Sequence, residues 1–179
     1  MKYGRPFVWL AILLAVAEGS PAAHDATCST DWLVTGYFTV RESDFDGARI
    51  QVTFEDGKTR SYRAAFLDAV KVEGWGRSEQ GAYVGYDDGA WRLSSRPLTA
   101  SGQELRIGSI AVDPAIIRSE DVVTIPTLPF FGKVRFQPND VGTAIRGKHV
   151  DVYTGEGAPA QELADTITGK GHTVCLLNR

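Results

Sequence analysis

The chain has 179 residues, of which 19 are basic and 22 are acidic, so its formal net charge is −3. The chain has no excess of positive charge with which to bind a phosphate backbone, so we expect no nucleic-acid partner. The length suits one domain that can bury a hydrophobic core, and the sequence gives no sign of an oligomeric state.

The N-terminus has the pattern of an export signal. Two basic residues and an apolar run of eleven residues precede several small residues: Lys2, Arg5, 7–17, Ser20, Ala22 and Ala23. A membrane-spanning helix needs roughly 20 apolar residues, so this run fits a signal peptide better. We therefore predict a signal peptide over residues 1–22, with retention as an anchor as the alternative. The rest is expected to be exported to the periplasm or outside the cell, without stable membrane insertion.

Cys28 and Cys175 are the only cysteines. In an oxidising compartment they favour a disulfide, with two buried free thiols as the alternative. His24, His149 and His172 show no zinc-like spacing, so we expect no metal and no cofactor.

Strand-like periodicity dominates the chain. The first elements are a strand over 31–40, a hairpin over 49–62 that turns at Asp56-Gly57, and an amphipathic helix over 62–73. The glycine-rich and aromatic stretch 74–102 predicts an ordered loop with brief strands. The remaining elements are strands at 109–112, 122–125, 132–136, 148–153 and 172–177, and a helix at 159–167. This pattern indicates one small, closed, mainly β domain over residues 28–179 with short helices.

Alternation along the strand 148–153 puts His149, Asp151 and Tyr153 on one face, with Val150 and Val152 on the other. A face that carries an acid, an imidazole and a phenol suits a chemical site. The alternative is a solvated strand face.

A second acid, Asp140, lies eleven residues before Asp151. It precedes Val141-Gly142, a turn at which backbone can approach a ligand. A carboxyl that must donate a proton needs a pKa above the usual aspartate value of roughly 3.9, and burial or a nearby like charge raises it. Asp140 is placed to supply that like charge to Asp151.

Aromatic side chains cluster around the glycine-rich middle of the chain: Tyr37, Trp75, Tyr83, Tyr86 and Trp91. Sugar faces present C–H groups that stack on such rings, whereas large aromatics are more often core. We expect two of the five to line a groove, with Tyr37 the first candidate.

Three segments of the chain carry a resemblance to a known family. DVGTAIRGKHVDVYTG at 140–155 is similar to the C-terminal segment of the membrane-bound lytic murein transglycosylase A family and of the related three-aspartate (3D) domains. GSIAVDPAII at 108–117 resembles the segment with the first of the three aspartates. VTGYFTV at 34–40 resembles the family's tyrosine-containing motif.

The resemblance implies a six-stranded double-psi β-barrel with glycan strands of peptidoglycan bound in a groove across it. By position, Asp151 is the catalytic aspartate and Asp140 the neighbouring acid that supports it. Asp113 completes the trio, with a structural cap before Pro114 as its alternative role. The candidate substrate-binding residues are Thr35, Tyr37, Trp75, Tyr86, Asp113, Gly142, His149 and Tyr153.

The implied reaction is lytic cleavage of the MurNAc–GlcNAc glycosidic bond. One carboxylic acid protonates the leaving sugar oxygen and then takes a proton from the C6 hydroxyl of the same sugar, which closes an anhydro ring without water. A non-catalytic wall-binding module of the expansin-like type is one alternative. A hydrolase of another β-linked glycan, with Asp140 as base for water, is the other.

Three features depart from the family pattern. The segment Phe136-Gln137-Pro138-Asn139 before Asp140 differs from the small or apolar residues expected there. Thr143 stands where the family has a second glycine, and a β-branched residue would resist a positive φ there. The span 40–108 is too short for a full copy of the family's inserted domain, so we expect a more open groove.

Overall fold

The computed structural model describes residues 26–177, and the predicted signal peptide lies outside this range. The described chain is mainly β. Its strands are β1 (Ala26–Arg41), β2 (Arg49–Thr53), β3 (Thr59–Arg63), β4 (Trp75–Arg77), β5 (Tyr83–Asp87), β6 (Ala90–Ser94), β7 (Ser109–Val112), β8 (Val122–Thr124), β9 (Gln137–Asp140), β10 (His149–Glu156) and β11 (Gly169–Leu177). Its α-helices are α1 (Ala64–Glu73) and α2 (Ala158–Ile167).

Nine strands form one curled sheet in the order β6-β5-β4-β1-β10-β7-β9, and β11 pairs with both β1 and β8. The long strand β1 is the centre of this arrangement, because its first part pairs with β11 and its later part with β10 and β4. The pairing of β1 with β10 is parallel and sets Thr35 beside Asp151. Strands β2 and β3 form a separate hairpin.

Two hydrophobic clusters support the sheet. The larger one collects the inward-facing side chains of β1, β7, β10 and β11, including Val34, Ile110, Val150, Val152 and Val174. The predicted alternation of β10 is therefore confirmed, since both valines are fully buried. The second cluster packs α1 against β4 and β5 through its buried residues Phe66, Leu67 and Val70.

Helix α2 packs on β1 where the strand has no side chain. A Cβ built on Gly36 would lie 2.5 Å from the Cα and 2.7 Å from the Cβ of Ala164 in α2. Both are fixed atoms, one of them backbone, so only a shift of the helix could make room. Gly36 thus sets the depth at which the helix sits on the sheet.

We expect Gly36→Ala to lower the free energy of unfolding by about 1 to 3 kcal/mol, the usual cost of overpacking a filled site. Urea unfolding measures this change. Gly169→Ala is the matched control, because its Cβ would meet only the His172 ring at 3.5 Å. Equal losses for the two variants would contradict the packing argument.

Most predicted elements are confirmed, but the strand predicted at 132–136 is wrong. Turns continue to residue 133: the amide of Phe131 donates to the carbonyl of Pro129, the amide of Val134 donates to the carbonyl of Phe131, and Phe130 has a φ of 64°. Phe131 reaches the core from these turns, whereas Phe136 reaches it from an isolated bridge with Val123 of β8. The strand begins at Gln137 instead, so Asp140 is a strand residue.

The predicted disulfide is confirmed. Cys28 and Cys175 are bonded and lie directly opposite each other on β1 and β11. Across residues 26–177, neither helix has the length and apolar character needed to cross a membrane.

Candidate active site

A cleft of about 450 Å³ opens beside β1, between the C-terminal end of α1 and the segment that follows β9. Three aromatic side chains line it, Tyr37, Trp75 and Tyr86. Its charged lining residues are Glu73, Asp87, Arg92, Asp140 and Asp151. Four of these five are acidic, so the cleft carries negative charge beside its three aromatic side chains.

Strand β1 holds Asp151 in place through Thr35. The Thr35 hydroxyl donates to Oδ1 of Asp151 at 2.6 Å, and it also lies 2.9 Å from Nε2 of His149. A hydroxyl has one hydrogen, so the second contact requires the imidazole to donate to Thr35. His149 thereby fixes the direction of the Thr35 hydroxyl from behind the cleft, and Oδ2 of Asp151 is left without a hydrogen-bond donor from the described residues.

The pKa of Asp151 is raised above its ordinary value, mainly because the carboxyl is buried. The hydrogen bond from Thr35 and the charge of His149 lower it, and the charge of Asp140 raises it. The net direction is the one that an acid catalyst needs. It is also the direction predicted from burial and the paired acid.

Replacing Thr35 with Val removes a hydrogen bond to the ionised form of Asp151 at nearly constant volume. The pKa of Asp151 should therefore rise further, and carboxyl ¹³C NMR titration measures it. Loss of one charge-assisted hydrogen bond should also slow any reaction at Asp151 by about tenfold. An unchanged titration of Asp151 in a folded variant would contradict this role of Thr35.

Asp140 accepts hydrogen bonds on both oxygens. The Tyr37 hydroxyl donates to Oδ2 at 2.9 Å, and the amides of Ala100 and Val141 donate to Oδ1 at 2.8 and 3.0 Å. Burial, and then the charge of Asp140, raise the pKa of Tyr37 well above its ordinary value, so the phenol stays neutral. Asp140 thus joins Tyr37 to the segment around residue 100 and acts as a support.

Four of the candidate substrate-binding residues do not line the cleft: Thr35, which donates to Asp151 from β1, and His149, Tyr153 and Asp113. His149 lies behind Thr35, and Tyr153 is buried against Tyr37 with ring centroids 5.4 Å apart. Burial is the main cause that raises the pKa of Tyr153 to about 12. Asp113 accepts from the amides of Ala115 and Gly147, which lowers its pKa and ties the end of β7 to the turn before β10.

Three of the five aromatic candidates line the cleft instead of the expected two. Trp75 is held by a hydrogen bond of 2.7 Å from its indole Nε1 to the carbonyl of Leu98. Tyr86 also faces the cleft, and Trp91 packs beside it with ring centroids 4.6 Å apart. Tyr83 points elsewhere and donates to Glu156.

Glu73 is a cleft residue that the sequence pattern did not single out. It is the last residue of α1, and its Oε2 accepts from the amide of Phe38 at 3.1 Å. Burial is the main cause that raises its pKa to about 7, and the charges of Asp151 and Asp165 add to it. Glu73 follows Phe66 and Val70 at helical spacing on the buried face, and an acid on an apolar face is the signal that could have revealed it.

The departure at Thr143 has little effect on the backbone. Thr143 is exposed, lines the cleft and is not among the residues with positive φ. Gly142 is the tighter position, since a Cβ there would lie 2.9 Å from a side-chain carbon of Ile145.

The span 40–108 forms the second wall of the cleft. This span contains β2 to β6 and α1. Four of its residues line the cleft: Glu73, Trp75, Tyr86 and Arg92. Within residues 26–177, no three His, Cys, Asp or Glu side chains are grouped so that they could hold a metal ion.

Comparison with known proteins agrees with this fold. The 3D domain family model matches residues 108–177. No curated protein matches the chain in sequence. Among solved structures, Escherichia coli MltA with bound chitohexaose is 15% identical, with a TM-score of 0.64 over 83% of this chain and 72% of that one.

Two further structures are similar. The membrane-bound lytic murein transglycosylase from Agrobacterium tumefaciens is 16% identical, with a TM-score of 0.58 over 83% of this chain and 74% of that one. MltA from Neisseria gonorrhoeae is 14% identical, with a TM-score of 0.55 over 85% of this chain and 72% of that one.

The described chain therefore has the fold of the MltA lytic transglycosylases. The resemblance found in the sequence is confirmed, since residues 108–177 match the 3D domain family and the fold is similar to that of the MltA structures.

Proposed function

We propose that this protein is an exported lytic transglycosylase that cleaves the MurNAc–GlcNAc bond of peptidoglycan and leaves an anhydro sugar. The observation that carries the proposal is Asp151, a half-buried carboxyl with a raised pKa at the wall of a cleft lined by aromatic rings. The fold of glycan-cutting enzymes and the 3D domain support it.

Asp151 serves both steps of this reaction. Because Thr35 occupies Oδ1, the proton of the acid form resides on Oδ2. It passes to the glycosidic oxygen as the bond to C1 of the MurNAc residue breaks, and the carboxylate that remains stabilises the positive charge on C1. The C6 hydroxyl of the same sugar then bonds to C1 and gives its proton to Asp151, so the enzyme ends as it began and no water is consumed.

The other cleft residues bind and orient the glycan. Trp75 and Tyr86 offer faces on which sugar rings stack, and Tyr37 is fixed between Asp140 and Tyr153. Asp140 already accepts three hydrogen bonds, so it is poorly placed to activate water. This weighs against the hydrolase alternative.

A closed barrel is the finer form of the fold that we propose over residues 28–179. Strands β9, β7, β10, β1, β11 and β8 pair in that sequence. A bridge between Val123 of β8 and Phe136, just before β9, supports closure of these six strands into a double-psi barrel. The disulfide fits an exported protein with a signal peptide at residues 1–22.

Product analysis tests the proposed function. The purified, disulfide-bonded protein is incubated with murein sacculi, and soluble fragments are identified by mass spectrometry. We expect muropeptides with anhydromuramyl ends, which are lighter by one water than hydrolytic products. Reducing ends would show a hydrolase instead, and sacculus binding without soluble fragments would show a wall-binding module.

A further inference from the structure

We propose that Glu73 is a second proton-holding residue of the cleft, which shares with Asp151 the single proton that the lytic reaction uses. The inference rests on the proposed lytic function and adds a residue to it. It starts from the position of Glu73 in the wall of the same cleft.

Strand β1 provides a hydrogen-bond donor to each of three cleft carboxyls. Thr35 donates to Asp151, Tyr37 to Asp140, and the Phe38 amide to Glu73. The three acids are therefore held from one strand and face one cavity. Both oxygens of Asp140 accept hydrogen bonds, three in all. Glu73 accepts one hydrogen bond from the described residues, on Oε2, and its other oxygen accepts none from them.

The charges around Glu73 favour its protonated form. None of the ion pairs among the described residues includes Glu73. The charged groups that face it or share its cleft are Asp151 on β10, Asp140 at the end of β9, Asp165 on α2, and Asp87 with Arg92 on β5 and β6. The basic member, Arg92, is paired with Asp87 at 2.7 Å, and Lys71 of α1 is paired with Asp68.

The two carboxyls repel each other when both are ionised, so the pair resists a second negative charge. Burial is the main cause that raises the pKa of Glu73 to about 7, and the charge of Asp151 adds to it. Below about pH 7, Glu73 therefore keeps a proton for the pair. Two carboxyls with separated pKa values in one cleft are a recurrent arrangement for acid–base chemistry.

In the reaction, Glu73 acts through Asp151. Its proton moves to Oδ2 of Asp151 and from there to the leaving sugar oxygen. The C6 hydroxyl later returns one proton to Asp151, and the pair recovers its resting state. One proton leaves the pair and one comes back, so no other reactant is needed.

Glu73→Gln tests the proposal, because the glutamine carbonyl can still accept from the Phe38 amide. We expect the wild-type rate of anhydromuropeptide release to fall as pH rises through about 7, where the pair loses its last proton. In the variant this decline should move to lower pH by about one unit or more, toward the pKa of Asp151 alone.

Glu162→Gln is the control variant. It removes a carboxyl from α2, outside the cleft, and should leave the dependence of the rate on pH unchanged. A loss of rate that is uniform across pH would indicate a structural role only and would overturn the proposal.

Carboxyl ¹³C NMR titration gives a readout that needs no turnover. We expect one glutamate that titrates near pH 7, that is absent in Glu73→Gln, and that titrates at lower pH in Asp151→Asn because a like charge is gone. If no glutamate titrates near neutral pH, the proposal fails whatever products form. If Glu73 titrates as expected but the wild-type protein releases no anhydro sugar, the proposed lytic function is wrong. The proposed use of the shared proton in that reaction is then wrong as well.

Discussion

Asp151→Asn is expected to lower the rate of anhydromuropeptide release by about 10²- to 10⁴-fold, the usual contribution of a positioned acid–base group. Asparagine has nearly the same shape and can accept the hydrogen bond from Thr35 through its side-chain oxygen, so the cleft should keep its form. It can neither donate a proton to the leaving oxygen nor take one from the C6 hydroxyl. The loss should therefore fall on the chemical step.

Binding and folding serve as controls for this variant. Retention on insoluble sacculi should remain close to wild type, because the aromatic walls are untouched. Asp31→Asn is a matched control, since Asp31 is exposed and its φ of 64° is a conformation that asparagine tolerates. A folded Asp151→Asn protein with undiminished anhydro product would remove Asp151 from the mechanism.

Loss of the disulfide is expected to have the largest effect on stability. Cys28 and Cys175 are separated by 147 residues, so the bond closes a loop that includes almost the whole described chain. By the chain-entropy argument, removing it from an exported domain costs about 5 kcal/mol, because the unfolded chain gains freedom. The pairing of β1 with β11 remains in the folded state, which places the effect mainly in the unfolded state.

The double variant Cys28→Ser, Cys175→Ser measures this cost through the midpoint of urea unfolding. Wild-type protein treated with a reductant should show the same shift, which separates loss of the bond from the effect of placing serine at a buried site. The folded variant should retain its cleft, which lies farther along β1 from Cys28. An unchanged midpoint would show that the bond does not restrict the unfolded chain.

The elements that the sequence predicted well are those in which local pattern and burial agree. β7 occupies 109–112 as predicted, because a short apolar run is set off by a glycine and a proline. The alternation of β10 is confirmed for the same reason, since Val150 and Val152 enter the core while Asp151 faces the cleft. A strand with one buried face has a period that tertiary contacts do not alter.

The misses have tertiary causes. Glu73 gains its character from Phe38 and Asp151, which are 35 and 78 residues away along the chain, and no local pattern contains them. The segment 132–136 has the composition of a strand, yet Gly132 leaves no room for a side chain, because a Cβ there would lie 2.8 Å from the Pro126 carbonyl oxygen. Close packing around Gly132 therefore favours turns over an extended strand.

The length of β1 bears on how the cleft behaves as a unit. One strand carries the disulfide at its start, the donors to three carboxyls in its middle and the pairing with β4 at its end. Both walls of the cleft are thus attached to the same backbone. Because fraying of β1 would release the walls and the acids together, we expect the cleft and the sheet to open as a single cooperative unit in hydrogen exchange.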